Sequence, residues 1–218
     1  MKKLLTIAAI AGVASLSCGQ GYIGVANTTT TKVSAGGIAT PSSTNEQFYF
    51  EVLIAATTVT TINTDNPLSG GWADSTIMMA NTSPGRVIGI NDNYDSADGG
   101  AQVPSGFSSS ATADLAVVGW SASLGPTLAD ALDAWDNGTW QGNDPGLQPG
   151  TYFAYFGVSA VAVDIPGAPA GGPYNSIWGR AADGQIPGMN LWPDYPEPST
   201  LALCGLGTAV MLILRRRK

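Results

Sequence analysis

The sequence contains no histidine among its 218 residues. Ser-His-Asp and Cys-His catalysis, histidine-ligated zinc and a histidine-based pH switch are therefore excluded. Cysteine is almost as scarce, since there are two, Cys18 and Cys204, one near each end of the chain. The central part of the sequence has no disulfide available to it. We expect it to be held together by core burial and sheet hydrogen bonds.

Positive charge is also scarce in the middle of the chain. Six of the nine cations lie close to the two ends, and only Lys32, Arg86 and Arg180 remain between residues 21 and 197. All 16 acidic residues fall in that interval, so three cations face 16 acids and the formal net charge there is -13. Such a balance repels phosphate backbones, and the sequence therefore predicts no nucleic-acid binding.

The first 20 residues have the pattern of a secretory signal helix. Lys2 and Lys3 are followed by an apolar stretch and then by small and polar residues, which allow cleavage before Cys18 or before Gly21. Lipidation of Cys18 is an alternative, although Ser15 stands where the lipoprotein pattern has an aliphatic residue. We expect export through Sec-type machinery with signal peptidase as a partner.

Residues 21–190 are rich in Gly, Ser, Thr, Ala, Asn and β-branched residues, a composition that favours strands and turns. Alternation between apolar and polar residues is clearest over 47–55, where it predicts a strand with one buried face, and over 113–121. The other expected strands are 22–27, 57–63 as a continuation of the sheet, 76–79, 86–90, 152–163 as the longest, and 175–178.

One helix is expected, over residues 126–136. Pro126 suits a first turn, and Leu128, Ala131, Leu132 and Trp135 share one face. Strands at this spacing, joined by turns and without alternating helices, predict a mainly β fold of the antiparallel β-sandwich or jelly-roll type with one short helix.

The segment 196–218 combines three features in a fixed order. Pro196, Glu197 and Pro198 form an extended tripeptide whose prolines donate no hydrogen bond. Residues 200–214 are apolar and would rise about 22 Å as a helix, against a hydrocarbon core of roughly 30 Å, which flanking side chains can extend. Residues 215–218 follow as a cationic stop-transfer tail: Arg215, Arg216, Arg217 and Lys218.

This arrangement resembles the PEP-CTERM sorting signal of bacteria that export proteins into an exopolysaccharide-rich envelope or matrix. The sequence PEPSTLAL at 196–203, Gly205-Leu206-Gly207 and the basic tail carry the resemblance. It implies that Pro196, Glu197 and Pro198 are recognised by a membrane protease, exosortase, which removes the tail. Residues 191–195 are then expected to be a linker, 200–214 a transmembrane helix in the inner membrane, and the basic tail its cytoplasmic end.

A loop over residues 91–107 offers oxygen ligands at short spacing. Asp92, Asp95 and Asp98 could bind Ca²⁺ outside the cell. The loop is not an EF-hand, because Ser96 and Gln102 stand where that loop needs glycine and a bidentate glutamate. A solvated loop in which Asp and Asn make turns is the simpler interpretation, and no other cofactor is indicated.

A second acidic group, with Asp130, Asp133, Asp136 and Asp144, lies close in sequence to Trp135 and Trp140. Carboxylates beside aromatic side chains are what a sugar-binding face or a glycosidase needs. Helical spacing places Asp130 and Asp133 toward solvent and Trp135 toward the core, so Trp140 is the expected carbohydrate contact. The other tryptophans, including Trp72, Trp120, Trp178 and Trp192, are expected to be core or sheet-face residues.

Together these features predict a non-catalytic exported protein of the cell envelope or extracellular matrix, anchored in the inner membrane until its tail is processed. The alternative is a carbohydrate-binding module of the exopolysaccharide matrix. An enzymatic role would need carboxylate-only chemistry, with two carboxylates at glycosidase separation in a cleft.

Overall fold

The structure is a computed structural model that describes residues 21–40, 48–90, 94–95, 100–104, 107, 111–137, 154–164, 166 and 174–194. These residues form a mainly β fold with one α-helix, and its large sheet curls into a half-barrel. The strands are β1 Tyr22–Gly24, β2 Val33–Ala35, β3 Ile38–Ala39, β4 Phe48–Ala56, β5 Ala73–Ser83, β6 Arg86–Gly89, β7 Tyr94–Asp95, β8 Gly100–Gln102, β9 Ala113–Ser121, β10 Ala154–Val158, β11 Ala162–Asp164 and β12 Met189–Asp194.

The large sheet has the strand order β3-β2-β12-β10-β9-β4-β5-β6, and β11 also pairs with β9. Its neighbours are antiparallel except for β12 and β2, which are parallel. A second, three-stranded sheet has the order β1-β8-β7. The mainly β prediction is therefore confirmed, while the curled half-barrel and the parallel pair were not foreseen.

Both faces of the large sheet are buried at its centre. One face and the small sheet enclose what we call the inner core, which includes Ile23, Phe48, Phe50, Val52, Ile54, Leu115, Val117, Trp178 and Leu191. The opposite face carries the outer core, which includes Leu53, Ala55, Trp72, Ala116, Val118, Trp120, Leu128, Ala131 and Phe156. The prediction that 47–55 has one buried face was therefore too cautious, because β4 is covered on both sides.

The helix α1, Leu128–Asn137, confirms the predicted helix with slightly different bounds. Its start is fixed by Thr127, whose Oγ1 donates to Asp130 Oδ2 at 2.6 Å and accepts from the Asp130 amide at 3.2 Å. Leu128 and Ala131 are buried in the outer core, and Trp135 packs on Phe156 with ring centroids 5.2 Å apart. The helix therefore covers part of the large sheet with the face that its sequence predicted.

One predicted strand is wrong and another is divided into two. Residues 57–63 do not continue the sheet but belong to a segment over residues 57–72 that crosses the outer core between β4 and β5. The predicted strand 152–163 is not the longest, since β5 has 11 residues, and it is broken between β10 and β11. The break lies at Ser159, whose Oγ accepts the Val117 amide at 2.8 Å in place of a backbone carbonyl.

Other bounds also differ. Residues 175–178 form isolated bridges through Ser176 and Trp178 rather than a strand. The loop 91–107 includes the short strands β7 and β8. The predicted boundary at residue 190 falls inside β12, which lies between β2 and β10 in the large sheet. Residues 191–194 of the expected linker are thus part of the sheet.

Candidate functional site

Almost all residues singled out from the sequence lie outside the described residues. This applies to Pro196, Glu197, Pro198, the basic tail Arg215, Arg216, Arg217 and Lys218, the candidate ligands Asp92 and Asp98, and Trp140. Asp95 lies in β7, where its backbone pairs with Gly100 of β8. The sorting, calcium and Trp140 assignments therefore stay predictions.

Two features are absent from the part of the chain that the structure describes. Within it, no three acidic or cysteine side chains come together as a metal-binding group. Within the same residues, no helix has the length and apolar character needed to span a bilayer. The expected transmembrane helix over 200–214 lies outside these residues.

The described tryptophans divide by exposure. Trp72, Trp120 and Trp178 are buried, as expected for core residues, and each indole Nε1 donates to a backbone carbonyl at 2.8 to 2.9 Å. Trp192 differs, because 68% of its surface is exposed although it stands within a strand of the large sheet. Trp192 therefore presents a large aromatic ring to solvent on a face of the sheet.

Trp192 lies beside the aromatic edge of the outer core. It is paired across β12 and β10 with Phe156, which is buried under Trp135 of α1. Directly opposed residues of an antiparallel pair share a face of the sheet. Trp192 therefore extends the aromatic surface of Phe156 and Trp135 out from beneath the helix, onto a part of the sheet that is open to solvent.

The polar neighbour of Trp192 is Asn190, two residues earlier on the same face of β12. Its Oδ1 accepts from Ser34 Oγ at 2.7 Å and from the Gly37 amide at 2.9 Å. Gly36 and Gly37 have φ values of 57° and 82°, as the two-residue turn between β2 and β3 requires. The two contacts fix the amide plane of Asn190 and do not use its Nδ2 donors.

We call Trp192, Asn190 and Ser34 the β12 face. A Cβ built at Gly37 would meet nothing within 4 Å, so the space beside Asn190 is open. A flat indole next to a fixed amide and a hydroxyl provides a stacking surface and neutral hydrogen-bonding groups. This combination suits a sugar ring, whose C–H face is apolar and whose rim is hydroxylated.

Two carboxyl groups of the central strands were missed by sequence reasoning. Glu51, in the middle of β4, is 3% exposed and faces the outer core, where its carboxyl forms a hydrogen bond with the carboxyl of Asp74 on β5. Desolvation by burial, with the hydrogen bond and charge of Asp74, raises its pKa to about 9, against a smaller opposing effect from the Thr76 amide. Burial and the neighbouring Asp74 carboxyl thus both favour the protonated form of Glu51.

The backbone around Asp74 is irregular. Between Val52 and Leu53 of β4 the register with β5 shifts, and the extra residues include Thr76, whose φ is 60°. A β-branched residue at positive φ is strained, and the strain is held by local contacts. The Thr76 amide donates to Asp74 Oδ1, and Ser75 Oγ donates to the Val52 carbonyl.

Asp114 of β9 is the second buried carboxyl. It is 1% exposed, and its Oδ2 has no hydrogen-bond partner. Burial raises its pKa, opposed by a hydrogen bond from the Val59 backbone. Because Asp114 is paired with Ala55 of the outer core, it faces the same side of the sheet as Glu51.

These residues did leave signals in the sequence. Glu51 is a charged residue inside an apolar strand, and Asn190 stands between the apolar residues Met189 and Leu191. Residues 191–195 were instead expected to be a linker to the Pro-Glu-Pro motif. Trp192 was expected to be a core or sheet-face residue, and its exposure depends on which strands the helix covers.

No protein-family model matches the chain, and neither does any curated protein or solved structure. The function is therefore argued from the residues and contacts of the chain itself.

Proposed function

We propose that the chain is an exported, non-catalytic protein of the cell envelope or extracellular matrix, processed at a C-terminal sorting signal by an exosortase-type membrane protease. The observation that carries the proposal is the order of features in 196–218: Pro-Glu-Pro, a 15-residue apolar segment at 200–214 and four cations. The proposal includes a signal helix at 1–20 and a transmembrane helix at 200–214.

The end of the large sheet fits processing at this motif. β12 ends at Asp194, and Pro196 follows two residues later. A cut at or after the motif would leave all of β12 in the sheet, with its pairing to β10 and β2 intact. The processed domain would therefore keep its fold when the tail is removed.

The short connection also sets a distance. From Asp194 to Thr200 the chain has six residues, which span at most about 20 Å when fully extended. If 200–214 enters the membrane, the Asp194 end of β12 stays within this distance of it. The protease would then act close to a folded domain, on a segment that proline keeps extended and that an active site can grip.

Two of the described carboxyl groups, those of Glu51 and Asp114, are buried in the core and are not available to a substrate. Glu51 is buried and hydrogen-bonded to Asp74, and Asp114 is covered by the segment over residues 57–72. A carboxyl that is sealed in a core does not reach a substrate.

We describe the body as sandwich-like because residues of both sheets contribute to the inner core.

The test is replacement of Glu197 with alanine, and separately deletion of residues 215–218, in the full chain expressed in a host that has the protease. We expect export to continue and tail removal to fall at least tenfold. Glu197→Ala removes the carboxylate that the protease would recognise, and the deletion removes the stop-transfer signal. Intact mass of the membrane fraction reports the uncut product.

The matched control is Glu46→Ala, which removes a glutamate from the body and should leave processing unchanged. If the Glu197→Ala and deletion variants reach the same mature mass at the same rate as the parent chain, the proposed sorting function is wrong. Loss of export in the Glu46→Ala control would instead report misfolding of the body.

The β12 face favours a second candidate function, a carbohydrate-binding module of the exopolysaccharide matrix. Trp192 offers an exposed ring, and Asn190 and Ser34 offer neutral polar groups beside it. The net charge of the body would repel acidic polymers, so neutral sugars are the expected ligands. We propose the contact at Trp192, and the Trp140 contact expected from the sequence stays a prediction because Trp140 lies outside the described residues.

We expect Trp192→Ala to weaken binding on a glycan array about tenfold or more, because the stacking ring is lost. The melting temperature should hardly change, since the side chain is mostly exposed. Two variants are compared with it: Trp140→Ala, at the contact expected from the sequence, and Leu68→Ala, at another exposed apolar residue. Equal glycan binding by all variants, or loss only with Trp140→Ala, would remove the β12 face from the proposal.

A further inference from the structure

Two large apolar side chains are strongly exposed at one end of the large sheet. Trp192 of β12 is 68% exposed and Ile38 of β3 is 62% exposed, the two highest values among the large apolar residues that the structure describes. Single exposed apolar residues are common on protein surfaces. Two at the same end of one sheet form an apolar surface that a partner can cover.

The pairing of the strands brings these two residues to the same end. β12 and β2 run parallel with Leu191 beside Ala35, so the turn after β2 lies beside the last residues of β12. The Gly36 amide donates to the Leu191 carbonyl at 2.9 Å, which holds the turn in place. Ile38 is paired with Ala35 on the other side of β2, two strand spacings or about 10 Å from Leu191.

We call residues 35–39 and 191–193 the tip. The tip contains no charged residue, and the first acid after it is Asp194, where β12 ends. Three acidic residues of other strands lie at the opposite end of the large sheet: Asp74, Asp114 and Asp164. The tip is therefore an uncharged end of a body whose formal net charge is -13.

Trp192 and Ile38 lie on different faces of the sheet. Trp192 is paired with Phe156 of the outer core, whereas Ile38 is paired with Ala35 of the inner core. A ligand bound flat on one face would cover one of them and leave the other in water. A broad layer that meets the sheet end-on covers both. Ile38 has no polar atom in its side chain, so a sugar site on the β12 face does not account for its exposure.

The tip also leads to the proposed membrane segment. Trp192 and Thr200 are eight residues apart, and this length spans at most about 27 Å when fully extended. The inference rests on the proposed function, in which 200–214 anchors the chain in the inner membrane. An anchored chain keeps Trp192 within this distance of the bilayer, and the apolar tip supplies an attraction to it.

We propose that the tip lies in the interfacial region of the lipid bilayer while the chain is anchored, with Trp192 and Ile38 among the headgroups. Tryptophan favours this region because its ring is apolar while its N–H still finds a hydrogen-bond partner. The orientation also directs the acidic end of the sheet away from the membrane, so the charge of the body does not oppose the contact. Removal of the tail releases the tip and leaves Trp192 free to bind a sugar.

The test uses the full chain reconstituted in phosphatidylcholine vesicles, with and without bromine atoms on the acyl chains near the headgroup. Bromine quenches indole fluorescence only at short range. We expect brominated lipid to lower the emission by up to about one sixth, the share of one tryptophan in six. Trp192→Phe should reduce this quenching at least threefold because it removes the reporter. Ile38→Ser should reduce it at least twofold because it weakens the apolar contact.

Two variants serve as controls, and neither should change the quenching. Val163→Ser removes an exposed aliphatic side chain at the opposite end of the sheet. Trp140→Phe removes a tryptophan outside the described residues. Quenching that is absent in the parent chain, that persists in Trp192→Phe and Ile38→Ser, or that is lost only in Trp140→Phe would overturn the inference.

Flotation of the same vesicles in a density gradient separates this inference from the proposed anchor. A parent chain that does not float with the vesicles would contradict the anchor at 200–214 and the inference with it. A chain that floats while Trp192 stays unquenched would overturn the inference alone. The inference also fails if a soluble glycan, and not brominated lipid, changes the emission of Trp192 in the floating chain, because Trp192 would then contact sugar before processing.

Discussion

Replacement of Gly119 with valine is expected to lower the free energy of unfolding by about 3 kcal/mol or more. Gly119 lies in β9 on the inner face, directly opposite Phe50 of β4. A Cβ at this position would lie 2.6 Å from Phe50 Cδ1 and 3.0 Å from Leu191 Cδ2. Both neighbours are fully buried, so neither can move aside freely. Chemical denaturation followed by fluorescence measures the change.

Gly119 belongs to a row of residues on the inner face that crosses four neighbouring strands, β12, β10, β9 and β4. Gly157 of β10 is paired with Gly119, and a Cβ there would also meet Leu191, at 3.1 Å from its Cδ2. Two glycines thus leave room for the two large side chains on either side of them. This explains glycine in the interior of a sheet, where its propensity is poor.

A double variant separates packing from backbone effects. Gly119→Ala alone should cost about 1 to 3 kcal/mol, and Phe50→Leu in the same chain should recover part of that loss by making room for the new methyl group. If the two costs simply add, or if Gly119→Val is as stable as the parent chain, the close approach of β9 and β4 at this row is wrong.

Trp120→Ala is expected to destabilise the domain by about 3 to 5 kcal/mol. Trp120 is fully buried in the outer core, its ring centroid lies 6.1 Å from that of Tyr49, and its Nε1 donates to the Gly125 carbonyl at 2.9 Å. Truncation leaves a large cavity and an unpaired carbonyl. The melting temperature should fall by roughly 6 to 20 °C, measured by thermal unfolding.

Trp192→Ala is the matched control for this substitution. The same residue type is removed from the same side of the sheet, but 68% of its surface is already exposed. We expect a change within about 0.5 kcal/mol. Similar losses for Trp120→Ala and Trp192→Ala would contradict the division into a buried outer core and an exposed β12 face.

The sequence predicted well those elements in which local pattern and tertiary environment agree. The strand 113–121 has the bounds of β9, and the alternation over 47–55 located β4 to within one residue. The helix α1 was found because its apolar residues repeat at helical spacing and pack as that spacing requires. The turn between β5 and β6 also has a local sequence signal, because Ser83-Pro84-Gly85 favours a turn and Gly85 has a positive φ.

The sequence failed where long-range pairing overrides local pattern. β12 contains a proline and lies next to a Pro-Glu-Pro motif, yet it pairs with β10 on one side and with β2, more than 150 residues earlier, on the other. Residues 57–63 are rich in threonine and resemble a strand, but the outer core is covered there by a segment without sheet partners. Neither result follows from periodicity alone.

The candidate sites show the same limit. Exposure of Trp192 depends on how far α1 and the segment over residues 57–72 extend across the sheet. The sequence of β12 does not determine this. The importance of Glu51 depends on a partner, Asp74, that a register shift brings beside it. By contrast, the proposed sorting motif could be predicted from the sequence alone because its features are contiguous in 196–218.

We propose that the chain is a folded, acidic domain flanked by two segments that membrane enzymes recognise. The most direct measurement is the intact mass of the product isolated from the membrane and from the medium of its host. We predict a chain that lacks about 20 residues at its N-terminus and, in the medium, also lacks the segment after the Pro-Glu-Pro motif. A full-length chain of 218 residues, recovered from the cytosol with both ends intact, would contradict it.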